Sequence, residues 1–138
     1  MITTAIVNRQ RKLPVDRRRI RRAIRAILED AGVAEACVSV AVVDDPAIAR
    51  LHQQFLGDPQ PTDVLSFLLE RSPEVLEGEV VVSAETAWTS APHYHCTAAD
   101  ELLRYVIHGT LHLVGYDDAT PRKRAVMKKR EDAYLKQC

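Results

Sequence analysis

Apolar side chains recur along this chain with two different periods, and the switches between them mark its elements. Ile2 to Val7 is rich in β-branched residues and predicts a first strand. Beyond Asp16 the apolar positions fall at Ile20, Ala23, Ile24, Ile27 and Leu28, the spacing of one helix face; Asp16 suits the cap, and the helix ends near Ala31 and Gly32. Cys37 to Val43 reads as a buried strand. Pro46 fits the first turn of a second helix reaching about Phe55, which Gly57-Asp58-Pro59 breaks. Val64–Leu69 and Glu79–Val82 are further strand candidates, joined by a hairpin loop or longer turn over Arg71–Glu77, and Ala84 to about Ala91 reads as a short helix.

Thr97 followed by Asp100 resembles a capping box and opens the most apolar helix of the chain. Leu102, Leu103, Val106, Ile107 and Leu111 cover several of its sides, so this helix is expected to be buried, with Gly115 as its C-terminal stop. Thr120-Pro121 then starts a last helix. Strands and helices mix without strict alternation. The expected fold is α/β (α+β): a small mixed sheet of three to four strands against about five helices, in a single domain over residues 1–138.

Composition changes the picture mainly by exclusion. With 46% of 138 residues apolar, the chain can build a real core, and global disorder is excluded. A formal net charge of +0 argues against a protein that coats nucleic acid indiscriminately, though it permits a local basic patch. Cys37, Cys96 and Cys138 are few, odd in number and widely spaced, which fits a reducing compartment better than a secreted one. There is no signal-peptide apolar region and no run long enough to cross a bilayer, so a cytoplasmic protein with no membrane partner is expected.

The candidate chemistry lies in the buried helix. His108 and His112 are one turn apart on one face and can share an ion. Gly115 lets the chain turn back, and Asp118 follows with a hard oxygen ligand. HGTLHLVGYDD, residues 108–118, therefore has the spacing of a zincin-like metal helix with three ligands: His108, His112 and Asp118. In zinc proteases a glutamate follows the first histidine as general base; here that position is Gly109, so a protease is disfavoured and any hydrolysis needs another base. Arg104, one turn before His108, would repel a cation but suit an anionic substrate. Glu101 is either a supporting partner of the ligands or half of a helix salt bridge with Arg104.

HGTLHLVGYDD resembles the signature of the YbeY family, metal-dependent endoribonucleases linked to ribosomal RNA maturation. PTDVLSF, Pro61 to Phe67, is a second match, and GEVVVS, Gly78 to Ser83, a weaker third; Met127, Glu131 and Leu135 fall where the family's last helix has similar residues. The resemblance implies zinc, one ion per chain, with iron or manganese as other ions for such ligands. It also implies RNA as substrate, ribosomal RNA and the ribosome as partners, and no DNA. By the resemblance His108 and His112 match two of the family's three histidine ligands, and Asp118 stands where the third is expected. Asp117 matches the aspartate just before that histidine, while Thr62, Asp63 and Ser66 match the motif bordering the family's cleft. Ser66 and Asp117 are thus catalytic candidates, Ser66 to orient a phosphate or water and Asp117 to orient a ligand.

Two more departures stand before the Pro-Thr-Asp segment. Leu56 occupies the place of an arginine implicated in activity, and His52 that of an asparagine. A leucine cannot pair with phosphate or stabilise developing negative charge. A carboxylate at 118 also cancels part of the charge that two neutral histidines leave on an ion, so a bound water is acidified less. A catalytically weak or inactive relative that binds RNA or the ribosome is therefore the alternative reading.

Other features have plain readings beside functional ones. Arg18, Arg21, Arg22 and Arg25, on the polar face of the first helix, are candidates for RNA phosphates, against a merely solvated face. Lys128, Lys129 and Arg130 read as solvation. His93, His95 and Cys96 could ligate a soft metal but lack a second ligand pair, so a metal-free loop is expected. Trp88 reads as a packing residue.

Overall fold

The computed structural model describes residues 1–58, 60 and 62–138. Pro59 of the expected helix break and Pro61 of the PTDVLSF segment lie outside them. In chain order the elements are β1 (Ile2–Asn8), α1 (Arg17–Asp30), β2 (Glu35–Val43), α2 (Asp45–Leu56), β3 (Val64–Arg71), β4 (Val75–Ser83), α3 (Ala84–Ser90), a 3₁₀ turn (Ala91–Tyr94), α4 (Ala98–Leu113) and α5 (Pro121–Gln137). The four strands form one mixed sheet in the order β1-β2-β4-β3. β1 and β4 each run parallel to β2, and β3 pairs antiparallel with β4.

Local chemistry accounts for the boundaries. Asp16, Thr97 and Thr120 each accept a backbone N–H of the first turn they cap, at 3.1 Å. Gly57 closes α2 in the left-handed conformation (φ 72°), which lacks a Cβ penalty only for glycine. The expected loop over Arg71–Glu77 is shorter than the sequence suggested. β3 continues through Arg71 and β4 resumes at Val75, because the ladder pairs Glu70 with Glu77 and Arg71 with Leu76 despite their polarity. Backbone pairing there overrides the weak apolar pattern.

The main core lies on one face of the sheet, where Val38, Val40, Val42, Leu76, Val80 and Val82 meet α1, α4 and α5. Ile107 and Leu111 of α4 are fully buried, each stabilising the fold by about 1.5–3 kcal/mol relative to exposure. On the other face a smaller cluster joins Ile48 of α2 to Val43, Leu65 and Val81. Helix α4 lies close against the sheet through two glycines. A Cβ on Gly109 would stand 2.6 Å from Val80 Cγ1 and 3.0 Å from Val64 Cγ2, and one on Gly78 would stand 2.9 Å from the Leu113 methyls. This close approach places the histidine face of α4 at the β3 edge. No helix among the described residues is long and apolar enough to cross a membrane.

Candidate metal centre and adjoining clefts

His108 and His112 project from one face of α4, both partly buried, with side chains 23% and 29% exposed. Their Nε2 atoms face each other at 3.0 Å. After α4 the chain reverses at Gly115 (φ 109°), a backbone shape that strains any other residue. The reversal carries Asp118 back, so that its Oδ2 lies 3.6 Å from His108 Nε2 and 3.8 Å from His112 Nε2. Arg124 holds this return in place by donating to the Asp118 backbone carbonyl at 3.2 Å.

The second nitrogen of His108 is also engaged. Its Nδ1 lies 2.7 Å from Oε2 of Glu131 on α5. Glu131 is itself buried, and its other oxygen accepts from Arg104 at 2.9 Å, while the second arm of Arg104 reaches Asp132 at 2.7 Å. Burial disfavours the imidazolium of His108, but the Glu131 hydrogen bond and charge, helped by Asp118 and Asp63, outweigh it and raise the pKa above the usual histidine range. With Nδ1–H donated to Glu131, the lone pair of His108 Nε2 points at His112 and Asp118.

These residues fit a metal ion. Around a tetrahedral ion with bonds of about 2.0–2.2 Å, neighbouring donors stand roughly 3.3–3.6 Å apart. The three separations here, 3.0, 3.6 and 3.8 Å, bracket that spacing. Among the described residues these three form the one cluster of three or more such side chains that could hold an ion. His93, His95 and Cys96 form no such cluster among the described residues.

Two clefts meet at this cluster. One, of about 780 Å³, runs between α4 and α5 toward α1 and is lined by Arg19, Arg104, Arg124, Lys128 and Lys136 among others. The other, of about 610 Å³, wraps the β3 edge beside the end of α2 and includes Phe55, Leu56, Ser66 and Phe67. Asp63, His108 and Asp118 line both.

The other candidates fall around this centre as follows. Ser66 lies in the second cleft with its Oγ directed at Gly109, 3.3 Å from where a Cβ would stand, and its hydroxyl bonds to no other described residue. Asp117 points away: its carboxylate accepts from Ala119 N and Lys123 Nζ, both at 3.1 Å, and the Ala119 bond and then Lys123 hold its pKa below the usual range. Arg18, Arg21, Arg22 and Arg25 are exposed and line neither cleft, whereas their neighbour Arg19 lines the first.

Two expectations need correction. Glu101 does not pair with Arg104; it accepts from Tyr105 Oη at 3.1 Å, because Arg104 is already taken by two carboxylates of α5. Trp88 is half exposed rather than packed, with Lys12 Nζ 5.3 Å from its ring centroid. The bond from Glu131 to His108 was not foreseen. The available signal was a charged residue on the buried stripe of Met127 and Tyr134, since a carboxylate there requires a partner.

Fold and centre together define a class: a small α/β protein with two histidines on a core helix and a carboxylate from the loop after it, grouped so that they could hold an ion. The family model described as Endoribonuclease YbeY matches residues 5–138. The chain belongs to the YbeY family of endoribonucleases. It is 44% identical over 112 residues to Endoribonuclease YbeY of Rhodopirellula baltica, a match covering 77% of this chain and 58% of that protein. It is 37% identical over 135 residues to the Syntrophus aciditrophicus protein of the same name, covering 92% and 84%. The solution structure of TM1509 from Thermotoga maritima superposes with a TM-score of 0.65 at 28% identity, covering 99% of this chain and 87% of that one.

Proposed function

We propose that this protein is a metal-dependent endoribonuclease of ribosomal RNA maturation, acting in the cytoplasm in association with the ribosome, with one zinc ion held by His108, His112 and Asp118. The observation that carries this reading is the convergence of those three donors where the two clefts meet. An ion there supplies a Lewis acid for a phosphodiester oxygen and acidifies water. Zinc suits two imidazoles and a carboxylate, and iron or manganese are the other ions such donors accept. Cysteines 37, 96 and 138 are all unpaired, in keeping with a reducing compartment.

The chain's own residues have distinct tasks in this reading. Glu131 fixes the tautomer and plane of His108. Ser66, unpartnered beside the donors, positions a phosphate or water. Asp117 ties the loop bearing Asp118 to Lys123 on α5 and so positions that ligand. Arg124 and Lys128 bring positive charge to the first cleft. Arg18, Arg21, Arg22 and Arg25 engage phosphates of RNA extending past the clefts. A single domain over residues 1–138 contains all of this, supported by one core cluster that runs from Leu13 to Tyr134.

A second reading, an RNA- or ribosome-binding relative with weak or no catalysis, draws on Leu56. It is 63% exposed in the second cleft, at the position where the resemblance leads one to expect a cation. Elemental analysis beside RNA cleavage separates the two. About one equivalent of zinc in the wild type, lost in His112→Ala and Asp118→Ala together with cleavage that chelation abolishes, supports the enzyme. RNA binding that survives metal removal, with no cleavage at any metal load, supports the binding relative.

A further inference from the structure

We infer that the exposed Phe55 in the cleft at the end of α2 is a subsite for one unpaired nucleobase of an RNA strand, which stacks on its ring. The inference rests on the reading above, that RNA is what the clefts receive. Phe55 and Leu56 are 56% and 63% exposed, large apolar surfaces placed side by side in solvent. The Phe55 ring lies 5.1 Å from that of Phe67, tilted by 59°. Phe67 in turn packs on the cluster of Val43, Ile48, Leu65 and Val81, so the wall behind Phe55 is rigid core rather than loop.

Charge decides which part of the strand belongs here. No lysine or arginine is among the described residues that line this cleft, whereas the other cleft has five. Away from the donors and Ser66, a phosphate therefore gains little here, and a neutral flat ring gains a stacking surface. The cleft is continuous with the donor set, because His108, His112 and Asp118 form part of its wall. A strand with a phosphodiester at the donors thus has a neighbouring base within reach of Phe55, while its backbone continues past Arg124 and Lys128. Thr62, whose hydroxyl bonds to no other described residue, offers a donor and acceptor for the edge of that base. Stacking discriminates weakly among bases, so the subsite selects for single-stranded character more than for sequence.

The test uses the zinc-loaded full chain and single-stranded hexaribonucleotides. One series carries 2-aminopurine at each position in turn, and a matched series carries an abasic site there. The wild type is expected to quench 2-aminopurine emission at one position. It should also bind the base-containing strand about 5- to 150-fold more tightly than its abasic match, the range of one base–aromatic stack. Phe55→Ala should lose both effects while binding the abasic strand as the wild type does, and Phe55→Tyr should retain both. Equal binding of intact and abasic strands by the wild type, an equal loss on both strands in Phe55→Ala, or no binding of either strand would overturn the subsite. Cleavage is read separately. A wild type that cuts RNA without distinguishing the two series loses the subsite and keeps the endoribonuclease reading; one that quenches and discriminates yet cuts nothing keeps the subsite and loses that reading.

Discussion

Nδ1 of His108 lies 2.7 Å from Oε2 of Glu131, a bond from the centre of α4 to the middle of α5 across 23 residues of sequence. Glu131 is buried and also takes one arm of Arg104, whose other arm binds Asp132. The carboxylate therefore has fixed partners on both oxygens, and the imidazole is oriented before any ion arrives. A histidine free to rotate would have to be ordered on binding, at the expense of affinity.

Glu131→Gln tests that orientation. The amide keeps the shape of the side chain but loses its charge and can no longer satisfy Arg104 and His108 equally. Zinc affinity, measured by competition with a chromophoric chelator, should fall about 10- to 100-fold, as it does when carboxylates behind metal-bound histidines are removed. Circular dichroism should show the fold retained. An unchanged affinity would mean that the donors orient His108 without help from α5.

Gly109 illustrates a different constraint. From the sequence its meaning was chemical, the absence of a protease's glutamate. In the structure it is steric: a Cβ would lie 2.6 Å from Val80 Cγ1 and 3.0 Å from Val64 Cγ2, on two β-branched side chains held in the sheet. Alanine would gain about 0.8–1.0 kcal/mol of helix propensity, but the crowding costs about 1–3 kcal/mol and displaces α4. Gly109→Ala should therefore lower the denaturation midpoint and also weaken zinc binding, because the histidines move with the helix. A variant more stable than wild type would show that the helix lifts from the sheet at little cost.

Most of the fold was legible because its elements are strongly patterned. The stripe from Ile20 to Leu28, the caps Asp16, Thr97 and Thr120, and the dense apolar coverage of α4 all predict what forms. The turn between β3 and β4 was less legible, since Glu70, Arg71 and Glu77 are strand residues only because each has a partner across the ladder. The convergence of His108, His112 and Asp118 was legible from spacing within one segment. What links them to the rest of the molecule was not, because Arg104, Glu131 and Asp132 meet through the packing of α5 on α4, and no local period encodes a contact between helices.

That packing is also held at its far end, where Tyr134 Oη donates to Asp30 Oδ2 at 2.6 Å and ties α5 to α1. Tyr134→Phe removes a hydrogen bond to a charged acceptor and should destabilise the fold by about 1–2 kcal/mol in urea titrations. Burial and the Asp30 bond push the tyrosine up to about 12. A folded-state value above the ordinary one of about 10 means the protonated form is favoured by folding. The difference between wild type and variant should thus be constant below pH 10 and shrink as the pH rises from there toward 12. A gap that is already absent at neutral pH would show that water replaces the contact without loss.

Asp118 and Leu56 stand where the resemblance leads one to expect a histidine and an arginine. Asp118 brings a negative charge into the donor set, which reduces the ion's pull on a phosphodiester, whereas a histidine would leave that pull intact. Leu56 lines the second cleft next to the donors without offering charge, whereas an arginine there could pair with phosphate and stabilise the charge that develops during cleavage. Asp118→His and Leu56→Arg should each raise RNA cleavage, and the double variant more than either, about 10-fold or more for a gained charge-assisted contact of at least 1.4 kcal/mol. Leu56→Arg should act mainly on kcat, since the guanidinium meets charge present chiefly in the transition state. Both comparisons are made at matched zinc content, so that occupancy and turnover are not confused. If neither change raises cleavage, alone or together, the aspartate and the leucine are not weakened versions of the family's groups, and this branch performs its task with the centre as built.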